Sequence, residues 1–194
     1  VCIQAGLLPN MDGHLYIDIC KAIKKELPDI HIHAFSPEEI LYASVRSNTT
    51  VEDYLKMLKE AGIGSLPGTS AEILVKEIRN RISPGRISVN DWITVITTAH
   101  KIGIPTTSTI MYGHIETHDN IVEHLDVLRK IQKETKGFTE FVPLSFVHTE
   151  SPMYNLGLIK GMRSGAEGID VMKIHAISRI FFNKLIKNLL GGTN

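Results

Sequence analysis

A strand-to-helix handover that recurs along the 194 residues constrains this chain more than any other feature. The clearest copy is His31-Ile32-His33-Ala34-Phe35-Ser36-Pro37. Polar and apolar residues alternate there, so in a strand His31 and His33 share one face while Ile32 and Ala34 pack on the other. Ser36-Pro37-Glu38-Glu39 then reads as an N-cap, a proline at N1 and a capping-box glutamate. The same order returns in residues 105–116 (PTTSTIMYGHIE) and 138–148 (FTEFVPLSFVH). A strand that brings polar groups to one end and gives way to a helix is how barrel-type α/β proteins build ligand sites.

The handover back from helix to strand is marked by glycine. Gly62, Gly103 and Gly137 each follow a helical pattern and precede a strand, where glycine supplies the left-handed turn that ends a helix. The pattern predicts strands over 1–5, 30–35, 63–66, 105–111 and 139–146. Helices are predicted over 14–26, 37–47, 51–61, 71–79, 88–101, 118–135 and 169–187. Strands separated by helices favour a parallel sheet. A closed eight-strand barrel takes ~250 residues, so five strands imply an α/β fold that is a partial (β/α) TIM-like barrel. Residues 148–168, with five glycine and proline residues, read as a long loop over the strand ends.

Composition narrows the function classes. Lys+Arg and Asp+Glu balance at 21 each, which argues against a generally basic nucleic-acid surface. No run reaches the ~18 apolar residues of a membrane span, and the start lacks the pattern of a secretory leader. Cys2 and Cys20 are too few for a disulfide framework or a cysteine-only metal site, so the reading is a cytoplasmic globular chain. Val1-Cys2-Ile3-Gln4 reads as mid-strand and residues 189–194 trail off. We therefore expect 1–194 to be the central piece of a single barrel domain.

Four groups of residues are candidates for chemistry. His31 and His33 serve either as substrate contacts or proton shuttles, or as hydrogen-bonded histidines of a barrel interior. Residues 64–72 (GSLPGTSAE) carry a strand into a helix, with glycines that allow close backbone approach. The stretch lacks a P-loop lysine, and Glu72 is either a ligand contact or the capping-box partner of Thr69. His114 and Glu116 form either an acid/base pair or a cap of the next helix, after an unusually polar strand (Thr106, Thr107, Ser108, Thr109). Ser145 and His148 lack a nucleophile-elbow setting and read better as polar lining of a cavity.

These stretches, together with CIQAGLLP, HLDVLRKIQKETKGFTEFVPLSFVH and KIHAISRI, resemble the radical S-adenosylmethionine (SAM) enzymes of deazaflavin synthesis. Within that group they resemble the tyrosine-using half of FO synthase. Enzymes of the menaquinone pathway that act on futalosine-type substrates share most of the motifs. The resemblance implies a [4Fe-4S] cluster and SAM as cofactors, with L-tyrosine and 5-amino-6-(D-ribitylamino)uracil as substrates. It further implies a companion FO synthase subunit, and neither nucleic acid nor membrane as partner. It places Gln4, Ala5, Gly6, Glu72, Tyr112 and Glu116 at SAM, Ala5 standing where the pattern has glycine. His31, His33, Ser36, His114, Ser145 and His148 would line the substrate cavity. The Cys-x3-Cys-x2-Cys cluster loop of these enzymes has no counterpart in the sequence, so the expected metal ligands lie outside 1–194. The piece alone is then inactive, or a non-catalytic barrel fragment that binds a partner.

Overall fold

The computed structural model describes residues 1–149 and 151–190. It is an α/β chain of two compact units, Val1–Ser70 with Asn90–Thr107, and Ala71–Val89 with the chain from Ser108 onward. The elements are β1 (Cys2–Ile3), α1 (Leu15–Glu26), β2 (His33–Ala34), α2 (Pro37–Arg46), α3 (Val51–Glu60), α4 (Lys76–Ile82) and α5 (Val89–Lys101). They continue with β3 (Thr106–Tyr112), α6 (His118–Thr135), β4 (Phe138–Ser145), α7 (Pro152–Asn155), α8 (Gly168–Phe182) and β5 (Asn188–Leu189). Among the described residues no helix is long and apolar enough to cross a membrane.

In the first unit β1 and β2 pair in parallel, with Cys2 opposite His33 and Ile3 opposite Ala34. The strand expected over 63–66 is reduced to single parallel bridges, His33 with Ser65 and Leu66 with Thr106. The helices bury one stripe each. Tyr16, Tyr54, Leu55, Leu58 and Val95 close over Ile32, Ala34 and Phe35. Ser36 starts α2 as the sequence predicts: its hydroxyl and amide both engage the Glu39 side chain, and Pro37 occupies N1. Thr50 caps α3 by accepting from the Asp53 amide.

In the second unit the sheet is ordered β3-β4-β5, and β4 and β5 run parallel with Glu140 opposite Asn188. Phe141 on β4 meets Phe182 at 5.1 Å, which seats α8 on the sheet. The sheets are small, and the described residues form no closed barrel.

Three expectations are corrected. The helix predicted over 71–79 starts only at Lys76, because Ser70 and Glu72 sit at φ +58° and +47°, outside helical space. The left-handed residue that ends α6 is Lys136 at φ +55°, not Gly137, since both carboxamide atoms of Gln132 bracket Phe138 and fix where β4 begins. The last helix ends at Phe182 rather than at 187, and Asn188–Leu189 forms a sixth extended segment where none is predicted. Residues 191–194 lie outside the described residues.

Candidate functional site

The loop after β1 is gripped by one carboxylate. Glu39 Oε1 accepts hydrogen bonds from the amides of Ala5 (2.6 Å) and Gly6 (2.8 Å), while Oε2 accepts from the Ser36 amide (2.7 Å) and hydroxyl (2.8 Å). Glu39 is buried, so these four donors stand in for water around its charge. From the other side the Tyr16 hydroxyl donates to the Gly6 carbonyl at 2.6 Å. Burial and the nearby Glu39 charge push the Tyr16 phenol well above its usual range, so it remains a donor. Gly6 alone in this loop needs the left-handed region, at φ +77°. With the amides turned inward, the Gln4 and Ala5 carbonyls accept no hydrogen bond among the described residues. Such a loop offers acceptors and suits a cationic group.

His31 and His33 do share a face. Each ring nitrogen, His31 Nε2 and His33 Nδ1, lies 2.7 Å from the Ser65 hydroxyl. One hydroxyl carries one proton, so it donates to one imidazole and accepts from the other. His31 is exposed and His33 half-buried. Burial, and next the neighbouring His31, lower the His33 pKa. A Cβ at Gly64 would meet the His31 ring at 2.4 Å, so a side chain there would push that ring from its place.

In the second unit the turn after β3 uses the same device. Glu116 Oε1 accepts from the Gly113 amide at 2.7 Å and Oε2 from the His114 amide at 2.8 Å. Arg163 closes over it, with Nη2 2.7 Å from Glu116 Oε1 and Nη1 3.1 Å from Asp170. Tyr112, Glu116, Ile121, Arg163, Lys173 and Ile174 contribute to the wall of a cavity of about 370 Å³. Burial, with Asp170 beside it, raises the Tyr112 pKa.

Two sequence candidates are scaffold rather than cavity wall. Ser36 is buried and its hydroxyl serves the α2 cap. His114 is fully enclosed: Nε2 meets the Met111 carbonyl at 3.0 Å, and Nδ1 accepts from the Ile115 amide at 2.8 Å. Burial lowers its pKa and keeps it neutral in that role. Glu116 does not cap α6 either, since Thr117 and Asn120 form that capping box. Glu72 is half-buried and its carbonyl accepts from the Met111 amide at 2.7 Å, with no helix start for it to cap. Ser145 and His148 stand at and beyond the end of β4, His148 edge-on to Tyr154 at 4.9 Å.

The described residues contain no His/Cys/Asp/Glu group able to hold a metal. Cys2 is exposed, whereas Cys20 is buried, which pushes its thiol up to about 11 and leaves no thiolate to offer. These two cysteines do not fit an iron–sulfur cluster. Sequence reasoning gave Glu39 only its cap, and it missed Ser65 as the bridge between the histidines and Arg163 altogether. Only the capping pattern of Glu39 was visible, because its second grip joins residues 33 and 34 positions apart.

Residues 1–128 match the radical SAM superfamily. The chain belongs to that superfamily. A relative from Methanothermobacter thermautotrophicus, named 5-amino-6-(D-ribitylamino)uracil–L-tyrosine 4-hydroxyphenyl transferase, is 51% identical over 189 residues, 97% of this chain and 51% of that protein. Proteins of the same name from Methanocaldococcus jannaschii (49% over 192 residues) and Methanococcoides burtonii (49% over 189 residues) each cover 97% of the chain and 53% of their own length. The chain thus spans about half the length of the curated relatives it matches.

Proposed function

We propose that this radical SAM chain is the central part of a partial TIM-like barrel that joins the 4-hydroxybenzyl group of L-tyrosine to 5-amino-6-(D-ribitylamino)uracil, in deazaflavin (FO) synthesis. About 50% identity along 97% of the chain to relatives bearing that name supports the reading. The structural observation that carries it is the Gln4-Ala5-Gly6 loop. The Ala5 and Gly6 amides are spent on Glu39, while the Gln4 and Ala5 carbonyls accept no hydrogen bond among the described residues, which leaves them as acceptors for a ligand's ammonium. SAM carries such a group in its methionine part.

A cluster and SAM together supply one-electron cleavage of SAM to a hydrogen-abstracting radical. The cysteines of this chain do not hold the cluster, and its thiolates are assigned to the part of the protein beyond these residues. In the first unit Gln4, Ala5 and Gly6 take the methionine amine, and His31 and His33 face substrate. In the second unit Glu72, Tyr112 and Glu116 are assigned to SAM by resemblance, Glu116 acting through the turn it shapes. Ser145 and His148 are assigned to substrate on the same ground.

The test is the full-length protein, reconstituted with iron and sulfide and given SAM, tyrosine and the ribitylaminouracil. Formation of 5′-deoxyadenosine and the aryl adduct is expected. Turnover of a futalosine-type substrate in place of tyrosine would move the protein to the menaquinone pathway.

A further inference from the structure

We propose that Glu39 is a positioning residue for the SAM-binding loop: it orients the Gln4-Ala5-Gly6 main chain and does not itself touch the ligand. The proposal rests on the SAM reading of that loop. Every polar contact of the Glu39 carboxylate is accounted for by four donors, and none is left to aim at a ligand. Two of the four belong to the α2 cap, where an N3 glutamate ordinarily answers the N-cap amide alone. The other two reach back across more than 30 residues to consecutive amides of the loop. Neither is needed to start a helix.

The surroundings hold the carboxylate in that double role. Phe35, at φ +64°, turns the chain from β2 into the cap, and its ring stacks on Tyr16 at 4.4 Å. Tyr16 in turn fixes the Gly6 carbonyl. The loop is therefore clamped by an acceptor on its amide side and a donor on its carbonyl side. A carboxylate is required, because a carboxamide keeps one acceptor oxygen and replaces the other by a donor. Glu39→Gln sets an NH2 either against the Ala5 and Gly6 amides or against Ser36. The loop then loses the acceptor that fixes the Ala5 and Gly6 amides.

The experiment compares wild type, Glu39→Gln and Thr50→Ala in the full-length reconstituted enzyme, with three readouts: SAM affinity, thermal stability and hydrogen exchange at the Ala5 and Gly6 amides. Thr50→Ala removes the α3 cap and serves as a stability control away from the loop. For Glu39→Gln we expect exchange at Ala5 and Gly6 to accelerate. SAM affinity should fall on the order of tenfold, the scale of a lost charged hydrogen bond. Thr50→Ala should lower the melting temperature with SAM affinity unchanged. Unaltered exchange at both amides in Glu39→Gln overturns the proposal, as does wild-type SAM affinity in that variant. Wild-type protein that fails to bind SAM sinks the SAM reading instead, while the exchange data still decide whether Glu39 holds the loop.

Discussion

Arg163 Nη2 stands 2.7 Å from Glu116 Oε1, and the Arg163 amide donates to the His114 carbonyl at 2.8 Å, so one residue of the glycine-rich segment pins the β3 turn twice. The Glu116 side chain is 1% exposed, and among the described residues its charge without the guanidinium keeps only the Gly113 and His114 amides as donors. Arg163→Ala should destabilise the fold by about 1–3 kcal/mol, the range for a charged hydrogen bond. Arg163→Lys should recover only part, since ammonium cannot span Glu116 and Asp170 as a fork does. Urea denaturation checks both. A loss confined to a few tenths would reduce the pair to a surface contact.

Gly113 should not tolerate a side chain. It sits at φ +92°, and a Cβ would lie 2.5 Å from the Ala166 amide nitrogen and 2.8 Å from the Gly165 carbonyl carbon. Gly161, at φ +81°, has open space where its Cβ would go. Gly161→Ala therefore carries only the conformational penalty, about 1 kcal/mol. Gly113→Ala must also displace main chain and should cost clearly more in the same denaturation experiment. Equal costs would mean that residues 165–166 yield freely.

Acid should destabilise the protein through two buried histidines. Burial lowers the pKa of His100 to about 4 and that of His124 to about 3, against about 6.5 in an unfolded chain. Both are neutral in either state above pH ~6.5, so their contribution is complete there. As pH falls from ~6.5 towards 4, the unfolded chain gains protons that the folded one refuses, and stability declines. The loss should be on the order of 1–3 kcal/mol per histidine. His100→Gln, able to keep a hydrogen bond to Thr106, should flatten that decline. Stability that is level from pH 7 to 4.5 would contradict it.

Glu72→Gln separates recognition from architecture. The residue caps nothing, since α4 begins after Val75. If Glu72 holds SAM, the full-length variant should lose about 1.5–3 kcal/mol of SAM binding, roughly 10- to 150-fold, with its melting temperature little changed. Matched SAM titrations and melting curves measure this. A lower melting temperature with intact affinity would make Glu72 structural.

How much was legible follows from where each signal lives. The bounds of α6 are those predicted, because an apolar stripe at helical spacing, here through Leu125 and Leu128, is a local signal. That His31 and His33 share a face follows from residue alternation, whereas the Ser65 hydroxyl that joins them does not. Thr69 and Glu72 match a capping box equally well, yet the Glu72 carbonyl is taken by Met111 and the left-handed residues override the pattern. Glu39 and Arg163 were underestimated for a different reason. Their partners lie 33 and 34, and 47, positions away, where no periodicity reaches.

The grip of Glu39 on the β1 loop also bears on how such a motif can drift. The groups it holds are main-chain amides, which every residue but proline possesses. Only Gly6 needs the left-handed region in this loop, so Ala5 carries its methyl with an ordinary backbone and its amide still on Glu39. Selection at this spot would then act on the distant carboxylate and on one glycine, leaving the letter between them free to wander.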